Sequence, residues 1–451
     1  MLCDLKMVAS ILSARLIGDG NIVPGGISLD SRSIGPGDCF VALRADRDGH
    51  EYAGQAIEAG ASCLLVDHQL ESDAPQLIVE DTLSALQAWG QHRLAACRPE
   101  AVFGVTGSVG KTSTKELLAG ATSGWKTPGN RNNTLGLPAA LATMPDGLRA
   151  AVLEMGMSTA GEIERLTEIA PLDFGVITNV GDSHLENFPD GQGGIARAKG
   201  ELVAGIVPGG AWVYPAGDPW CQWIALQEWA SKSRPIPVGE GAEFSISYSE
   251  SLGAKGERFS LLHAGRRMEI QIKLKGRHQV QNAALAASIA LVAGFGGVGI
   301  DSIISGLASV EPEEGRGRLH SLRGGGLLLD ESYNASKHSI LSCAKALLEL
   351  DGGEPVTVLG CIRELGPESA SIHHSVGEEL RRAGISRLWA YGDFSKELAD
   401  GFGPGATAFP DFEALQPELD GLPTGARILV KGSRHWKTER AVALLLERFM
   451  L

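Results

Sequence analysis

A glycine-rich segment directly after an apolar strand is the feature that most constrains the fold of this chain. Residues 104–112 read Gly-Val-Thr-Gly-Ser-Val-Gly-Lys-Thr and follow the apolar run 101–103. The pattern predicts a strand, a tight turn and a helix that begins at Lys111 and Thr112. Such a turn aims backbone N–H groups and a helix N-terminus at phosphate oxygens. We therefore expect Lys111 to contact the terminal phosphates of a nucleoside triphosphate and the Thr112 hydroxyl to ligate Mg²⁺.

One position departs from the general phosphate-loop pattern. That pattern has a glycine five residues before Gly110, and this chain has Val105 there. The alternative interpretation is a glycine-rich strand–helix turn that binds no ligand. The coincidence of two glycines, a lysine and a threonine in the expected context favours the nucleotide site. The predicted nucleotide-binding residues of the loop are Thr106, Gly107, Ser108, Val109, Gly110, Lys111 and Thr112.

Composition restricts the class of protein. A length of 451 residues predicts about three domains, or two large ones. Apolar residues make up 43% and charged residues 21%, as in globular proteins with an ample core. The net charge of −14 argues against a general nucleic-acid binder, so a polyanionic substrate needs a local cluster of cations. The seven cysteines form no C-x-x-C pair and no apolar run spans a bilayer, so we expect reduced thiols, no membrane insertion and a cytoplasmic location.

Strand and helix patterns divide the chain into three α/β blocks. The first block, residues 1–99, alternates short apolar strands with helical patterns. The second, 100–310, repeats a strand-then-helix rhythm after the phosphate loop, which predicts a doubly wound parallel sheet. Within it, residues 235–275 carry short alternating polar and apolar runs that indicate a small antiparallel insertion. The third block, 311–451, again alternates strands and helices and predicts a Rossmann-like α/β domain.

Polar side chains follow the predicted strands of the second block. Glu154 ends one strand, residues 178–179 end the next, His184 follows shortly after, and Lys199 lies early in a helix. Open α/β sheets bind ligands at the carboxyl ends of their strands. A carboxylate and an imidazole beside a phosphate loop are candidate Mg²⁺ ligands. Taken singly, Glu154 is better explained as a salt-bridging carboxylate and His184 as a surface histidine, but their combination favours a site.

Other polar clusters lie at predicted turns and strand ends. Residues 129–136 read Gly-Asn-Arg-Asn-Asn-Thr-Leu-Gly and offer donors suited to pyrophosphate, sugar or peptide carbonyls. Residues 30–32, Asp-Ser-Arg, are turn residues when taken alone. In the third block, residues 315–318, 330–334 and 431–434 place cations and acceptors at strand ends and block junctions.

In this order along the chain, these motifs resemble those of the Mur ligase family of peptidoglycan synthesis. The phosphate loop of that family dispenses with the first glycine, so Val105 fits it. The matching landmarks, which cover nearly the whole chain, are residues 30–32, 106–112, 130–138, 154–156, 161–163, 177–181, 184–185, 198–201, 276–278, 282–283, 317–318, 332–335, 364–366 and 430–434. The resemblance implies a UDP-binding domain over 1–99, a central ATP-binding domain over 100–310 and a C-terminal domain over 311–451 that closes over both.

The resemblance also implies roles for individual residues. Lys111 would bind the transferred phosphate, and Thr112 and Glu154 would hold one Mg²⁺. His184 and Lys199 would hold or frame a second Mg²⁺, with Lys199 as the candidate for carbamylation. The implied contacts to ATP beyond the loop are Asn282, Arg318 and Asp330. The implied contacts to the other substrates are Asp30, Ser31, Arg32, Asn130, Asn132, Asn133 and Asn334.

The implied activity is ATP-dependent amide formation through an acyl phosphate. The Asp-Ser-Arg element at 30–32 and the Tyr-Asn-Ala element at 333–335 point to the family member that joins D-alanyl-D-alanine to UDP-N-acetylmuramoyl-tripeptide, acting as a monomer. Two alternatives stay open: a sister amide ligase such as a folate–polyglutamate ligase, and a non-catalytic nucleotide-binding regulator on the same fold. The element at 30–32 argues against the first. The second is disfavoured by the retained Lys111, Thr112, Glu154, His184 and Lys199.

Six residues at four places depart from the family pattern. Gln279 stands where the family has asparagine, and Glu331 where it has a second aspartate. Ser336-Lys337 replaces Asn-Pro, and Cys361-Ile362 replaces Asp-Met. We expect the change at Cys361 to remove a charge near the substrate face and Lys337 to add one.

Overall fold

The computed structural model describes residues 3–450, without the side chains of residues 248, 297 and 298. This part of the chain forms four β-sheets with helices packed on their faces, so the expected α/β class is confirmed. In residues 3–450 no helix combines the length and the apolar character needed to cross a membrane.

The N-terminal sheet has the strand order β1-β5-β4-β3-β2. Its strands pair in parallel except β1, which runs antiparallel to β5. An aspartate caps the first and the last of its helices: Asp4 accepts from the Met7 N–H and Asp81 from the Ser84 N–H, which satisfies otherwise unpaired donors. The elements are α1 (Leu5–Leu12), β1 (Arg15–Ile17), β2 (Ile27–Ser28), β3 (Cys39–Val41), α2 (Ala53–Glu58), β4 (Cys63–Val66), β5 (Gln76–Ile78) and α3 (Thr82–Cys97).

The central sheet has the strand order β11-β10-β9-β6-β8-β7, and every pairing is parallel. β6 and β8 are buried along their whole length because helices cover both faces, which explains their continuous apolar sequences. The predicted doubly wound parallel sheet is therefore confirmed. The elements are β6 (Ala101–Thr106), α4 (Lys111–Thr122), β7 (Trp125–Lys126), α5 (Gly136–Ala142), β8 (Ala150–Glu154), α6 (Glu162–Ile169), β9 (Leu172–Ile177), α7 (Gln192–Ala204), β10 (Ile206–Pro215), α8 (Pro219–Ala225) and β11 (Arg234–Val238).

A small antiparallel sheet follows the central strands, within residues 235–275 where the alternating sequence predicted it. It consists of β12 (Ser245–Ser251), β13 (Glu257–His263) and β14 (Arg266–Ile272). Residues 235–238 of that range instead belong to the parallel strand β11. Helices α9 (Arg277–Val292) and α10 (Ile300–Ser309) then pack against α4. The contact between α10 and α4 requires glycine, because a Cβ on Gly306 would lie 2.2 Å from the carbonyl oxygen of Gly120.

The C-terminal sheet has the strand order β15-β16-β20-β17-β18-β19, parallel except for β15. The edge strands β15 and β19 were not predicted, since their short sequences lack an apolar run. The elements are β15 (Arg318–Ser321), β16 (Leu327–Glu331), α11 (Lys337–Leu348), β17 (Pro355–Gly360), α12 (Ser369–Ala383), β18 (Arg387–Tyr391), α13 (Ser395–Phe402), β19 (Ala406–Phe409), α14 (Phe412–Leu415), β20 (Arg427–Lys431) and α15 (Glu439–Phe449).

Candidate active site

The glycine-rich loop between β6 and α4 is built around two glycines with positive φ. Gly107 has φ 150° and Gly110 has φ 86°. A Cβ on Gly107 would lie 1.8 Å from Oγ1 of Thr178, and a Cβ on Gly110 would lie 2.8 Å from Oδ1 of Asn282. Both the backbone conformation and the lack of space therefore require glycine. The loop is held from β9 by Asn179, whose Oδ1 accepts the Val109 N–H at 3.0 Å.

Lys111 lies folded into this loop. Its Nζ donates a 2.7 Å hydrogen bond to the Gly107 carbonyl. Burial lowers the pKa of Lys111, which Glu154 opposes and Arg316 reinforces. The ammonium is therefore close to both a negative and a positive side chain. A bound anionic phosphate group would favour its charged form.

Glu154 connects the loop to three other polar side chains. Its Oε2 accepts a 2.8 Å hydrogen bond from the Thr112 hydroxyl, and its Oε1 accepts one of 2.8 Å from Nδ2 of Asn132. Lys115 Nζ lies 3.5 Å from Oε2. Burial would raise the pKa of Glu154, but Lys115, Lys111 and the two hydrogen bonds outweigh it and lower the pKa. An ionised carboxylate beside a hydroxyl is an oxygen donor pair of the kind that Mg²⁺ prefers.

His184 stands where the central and C-terminal parts of the chain meet. It adopts φ 62°, and its Nδ1 contacts the carboxylate of Glu364. This hydrogen bond is the main cause that lowers the pKa of Glu364. The Glu186 N–H adds a 3.4 Å bond to the Glu364 carbonyl. His184 thus combines a position near the phosphate loop with a direct contact to the opposite domain.

Lys199 lies on α7, and only 2% of its surface is exposed. In the described part of the chain its ammonium forms no hydrogen bond and no ion pair. Burial and the nearby charge of Lys111 hold the pKa of Lys199 well below its ordinary range, while Cys221 opposes the shift. Both effects shift the amine towards its neutral form relative to an exposed lysine.

The phosphate loop, Glu154 and His184 line a cavity of about 780 Å³ between the central and C-terminal sheets. The predicted site residues Thr106, Gly107 and Lys199 do not line it. The central side of the wall includes eleven predicted site residues and the C-terminal side one, Asn334. The predicted site residues that line the cavity are Ser108, Val109, Gly110, Lys111, Thr112, Asn130, Asn132, Asn133, Glu154, His184, Asn282 and Asn334. A volume of this size accommodates a drug-sized or nucleotide-sized ligand.

Comparison with known proteins decides the family. The model of the Mur ligase middle domain matches residues 105–290, and the model described as the Mur ligase, glutamate ligase domain matches residues 315–434. The UDP-N-acetylmuramoyl-tripeptide–D-alanyl-D-alanine ligase of Escherichia coli K12 is 34% identical over 98% of this chain and 98% of its own length. The chain belongs to the Mur ligase family.

Solved structures of Mur ligases extend the likeness to the whole fold. A crystal structure of MurF from Acinetobacter baumannii has a TM-score of 0.87 and 30% identity, and the match covers 99% of both chains. The MurF ligase of Thermotoga maritima in complex with ADP has a TM-score of 0.79 and 26% identity, with 94% of this chain and 97% of that chain covered. The three-domain architecture that the sequence implied is therefore that of solved Mur ligases.

Two residues that family resemblance links to the nucleotide lie outside the cavity wall. Arg318 is half exposed and pairs with Glu314 at 3.3 Å. Asp330 is buried, and its carboxylate accepts the N–H groups of Gly315 and Ser332 at 3.0 Å each. In this arrangement Asp330 therefore fixes the backbone of the loop before β15, and its contact with ribose stays a prediction.

The Asp-Ser-Arg element lies in the N-terminal domain of this Mur ligase, apart from the cavity. Arg32 donates to both carboxylate oxygens of Asp30, at 2.9 and 2.7 Å. This pairing lowers the pKa of Asp30 to about 2. Ser31 is buried and donates to Oε1 of Gln55 at 2.9 Å. The element is a local, well-connected turn, and its contact with uridine stays a prediction.

Arg316 is a cavity residue to which the sequence assigned no role. Its guanidinium carbon lies 3.8 Å from the ring centroid of Tyr333, a cation–π contact, and both residues line the cavity. The sequence singled out the run 315–318 but not which arginine faces the cavity. Gly315 and Gly317 both have positive φ, so this segment is not a regular strand with side chains on alternate faces. The direction of each arginine therefore cannot be predicted from its position in the sequence.

The structure places three of the residues that depart from the family pattern in different surroundings. Gln279 accepts a 3.0 Å hydrogen bond from Asn282 and thereby holds it beside the loop. Lys337 lines the cavity and pairs with Glu379 at 2.9 Å, so its added charge is balanced. Cys361 is fully buried in the core of the C-terminal domain, and burial raises the pKa of its thiol to about 12. The expected effect of Cys361 at the substrate face is therefore wrong, because the side chain points into the core.

Proposed function

We propose that this Mur ligase joins D-alanyl-D-alanine to UDP-N-acetylmuramoyl-tripeptide at the expense of ATP. The observation that carries the proposal is the shared cavity, in which Lys111 of the phosphate loop faces Arg316 and Asn334 of the C-terminal domain. The 34% identity with the E. coli ligase over almost all of both chains supports the same pair of substrates. The activity then requires two reactions in this one cavity.

The first step activates the tripeptide carboxylate. A carboxylate oxygen attacks the γ-phosphorus of ATP, an O–P bond forms, the bond to the bridging oxygen breaks, and ADP leaves with both bonding electrons. Lys111 and Arg316 offset the negative charge on the transferred group, a function that typically accounts for several kcal/mol of barrier lowering. Asn130, Asn132 and Asn133 would position the peptide next to the phosphate.

The donor set around Glu154 fits a magnesium ion. Thr112 and Glu154 would hold it, with His184 near a second ion on the side of the C-terminal domain. Bound Mg²⁺ neutralises phosphate charge and so permits the two anionic substrates to approach. Asn132 and Lys115 keep the Glu154 carboxylate oriented and ionised, which is their contribution whether or not the ion is bound.

Lys199 would act as a carbamate. Its neutral amine attacks the carbon of CO₂, a C–N bond forms, and one proton leaves the nitrogen. The product is anionic and offers oxygen donors, whereas an ammonium would repel a cation. The buried amine with a strongly lowered pKa supports this modification.

The second step forms the amide. The deprotonated amine of D-alanyl-D-alanine attacks the acyl carbon, a C–N bond forms, and the C–O bond to phosphate breaks. Inorganic phosphate leaves, and the nitrogen gives up its extra proton to solvent. Asn334, at the end of the C-terminal side of the cavity, would help to hold the dipeptide.

The proposal includes the organisation and setting of the enzyme. Residues 1–99 would bind the UDP moiety, residues 100–310 ATP, and residues 311–451 would close over ATP and the dipeptide. The enzyme would work in the cytoplasm as a monomer with Mg²⁺.

A phosphate-release assay tests the substrate assignment. Release should require both UDP-N-acetylmuramoyl-tripeptide and D-alanyl-D-alanine and should fall sharply with L-alanyl-L-alanine. Turnover with a folate and glutamate, or with a single amino acid and a UDP-dipeptide, would identify a sister ligase instead. ATP binding without turnover on any pair would identify a regulator.

A further inference from the structure

A second cluster of ligand-type side chains lies on the cavity wall, away from Glu154. A ring nitrogen of His278, a carboxylate oxygen of Glu331 and Sγ of Cys343 all lie within 4.8 Å of one another. His278 is in the first turn of α9, Glu331 ends β16, and Cys343 is in the middle of α11. None of the three has a role in the two proposed steps of amide formation.

Each of the three side chains has a donor atom that is available to bind a metal ion. In the described part of the chain, the His278 ring donates and accepts no hydrogen bond. Glu331 uses Oε2 for Lys431, at 3.2 Å, which leaves Oε1 available. Cys343 is 2% exposed, yet it borders the cavity together with the other two residues. A small ion can therefore reach all three from one side.

We propose that His278, Glu331 and Cys343 form a binding site for a thiophilic divalent cation of the Zn²⁺ class. One nitrogen, one oxygen and one sulfur ligand suit Zn²⁺, whereas Mg²⁺ takes oxygen ligands. Ligand bonds of about 2.0–2.3 Å require donor atoms somewhat closer than the present spacing, which side-chain rotations provide. On binding, an S–metal bond replaces the S–H bond of Cys343, the proton goes to solvent, and a water from the cavity completes the coordination.

The three proposed ligands come from two different domains. His278 belongs to the Mur ligase middle-domain match, whereas Glu331 and Cys343 belong to the C-terminal match. An ion held by all three ties the two domains together at their present spacing. His278 lies one helical turn before Asn282, the predicted nucleotide contact. The proposed site does not depend on which substrates the ligase uses.

Binding of Co²⁺ to the full-length chain in Mg²⁺ buffer tests the site without any substrate. Co²⁺ replaces Zn²⁺ in such sites and gives a thiolate-to-metal absorption band only if sulfur is a ligand. We expect one Co²⁺ per chain with this band, and its loss on addition of Zn²⁺. Cys343→Ser should abolish the band. Cys361→Ser, which changes another buried cysteine of the same core cluster, should retain it.

A thermal shift provides the second readout. Zn²⁺ binds the folded chain, so it should raise the Tm of the wild type and of Cys361→Ser, but not that of Cys343→Ser. If Cys343→Ser fails to fold, His278→Gln provides the test instead. This substitution removes the nitrogen ligand at the cavity surface and should weaken Co²⁺ binding at least tenfold. Absence of the absorption band in the wild type would overturn the proposal. Persistence of the band in both Cys343→Ser and His278→Gln would also overturn it, because the ion would then be bound by other thiols.

Discussion

The hydroxyl of Thr112 donates a 2.8 Å hydrogen bond to Oε2 of Glu154, across 42 positions of sequence. The two residues meet because β6 and β8 are adjacent parallel strands, with Val105 directly opposite Glu154. The phosphate loop and the carboxylate therefore leave the sheet at the same edge. This pairing places a hydroxyl and an ionised carboxylate where the triphosphate is expected.

Glu154→Gln should lower kcat about 10²–10³-fold, the usual loss when one preorganised charge is removed from such a site. The amide keeps the hydrogen bond to Thr112 but lacks the charge that would hold Mg²⁺. The dependence of the rate on Mg²⁺ concentration should therefore move to higher values. Steady-state phosphate release at several Mg²⁺ concentrations measures both effects. Glu164→Gln, on the exposed face of α6, is the matched control, and an equal loss there would contradict the assignment.

Lys111→Ala should abolish phosphate release because it would remove the charge that we propose to lie nearest the transferred phosphoryl group. Binding of the UDP-linked substrate should be nearly unchanged, since the Asp-Ser-Arg element lies in another domain. Calorimetric titration of the UDP-substrate and a phosphate-release assay separate the two. Lys396→Ala, an exposed lysine of α13, should behave as the wild type. Near-normal turnover of Lys111→Ala would defeat the phosphate-loop assignment.

Arg316→Ala should reduce kcat about 10²-fold with a smaller change in KM for ATP, because in the proposed mechanism the guanidinium would offset the charge that develops on the transferred group. Arg316→Lys should recover only part of the rate, since an ammonium cannot stack on Tyr333 as a planar guanidinium does. Arg323→Ala, an exposed residue that donates to the Met450 carbonyl, serves as the control. If Arg316→Ala changes only KM, the residue binds ATP without acting on the phosphoryl transfer.

Lys199→Met should make the folded chain more stable than the wild type at neutral pH, measured by urea unfolding in bicarbonate-free buffer. Burial holds the folded-state pKa of Lys199 well below the ordinary 10.5. Between these two pKa values the unfolded chain binds more protons, so the free energy of unfolding of the wild type rises with pH. The advantage of the variant should therefore shrink as pH approaches 10.5.

Two further measurements separate stability from modification. Lys199→Ala, which leaves space for an added carboxylate, should be inactive and partly rescued by short-chain carboxylates. The wild type should lose activity when bicarbonate is removed. Lys396→Met should show neither the stability change nor the loss of activity. A stability difference that does not vary with pH would contradict the buried-amine explanation.

Ligands should close the C-terminal domain further. Arg318 now pairs with Glu314 outside the cavity, so its predicted contact with the nucleotide requires rotation about residues 311–317. Small-angle scattering should show a smaller radius of gyration with an ATP analogue and the UDP-substrate together. An unchanged radius would mean that Arg318 acts elsewhere.

The phosphate loop, the parallel central sheet and the antiparallel insertion were predictable because each rests on local sequence. Gly107 and Gly110 mark a turn between a strand and a helix. Strands β6 and β8 are buried on both faces, and their sequences are therefore almost continuously apolar. The edge strands β15 and β19 were missed, since short edge strands carry little hydrophobic signal.

The sequence by itself determined the α/β class, the phosphate loop and, through its motifs, the ligase family. Only the tertiary structure decided which polar residues share the cavity: it includes Arg316, leaves Arg318 outside and turns Cys361 into the core. The physical reason is that local patterns fix backbone conformation and burial within an element. Contacts such as His278 with Glu331 and Cys343 depend instead on how separate elements and domains pack together.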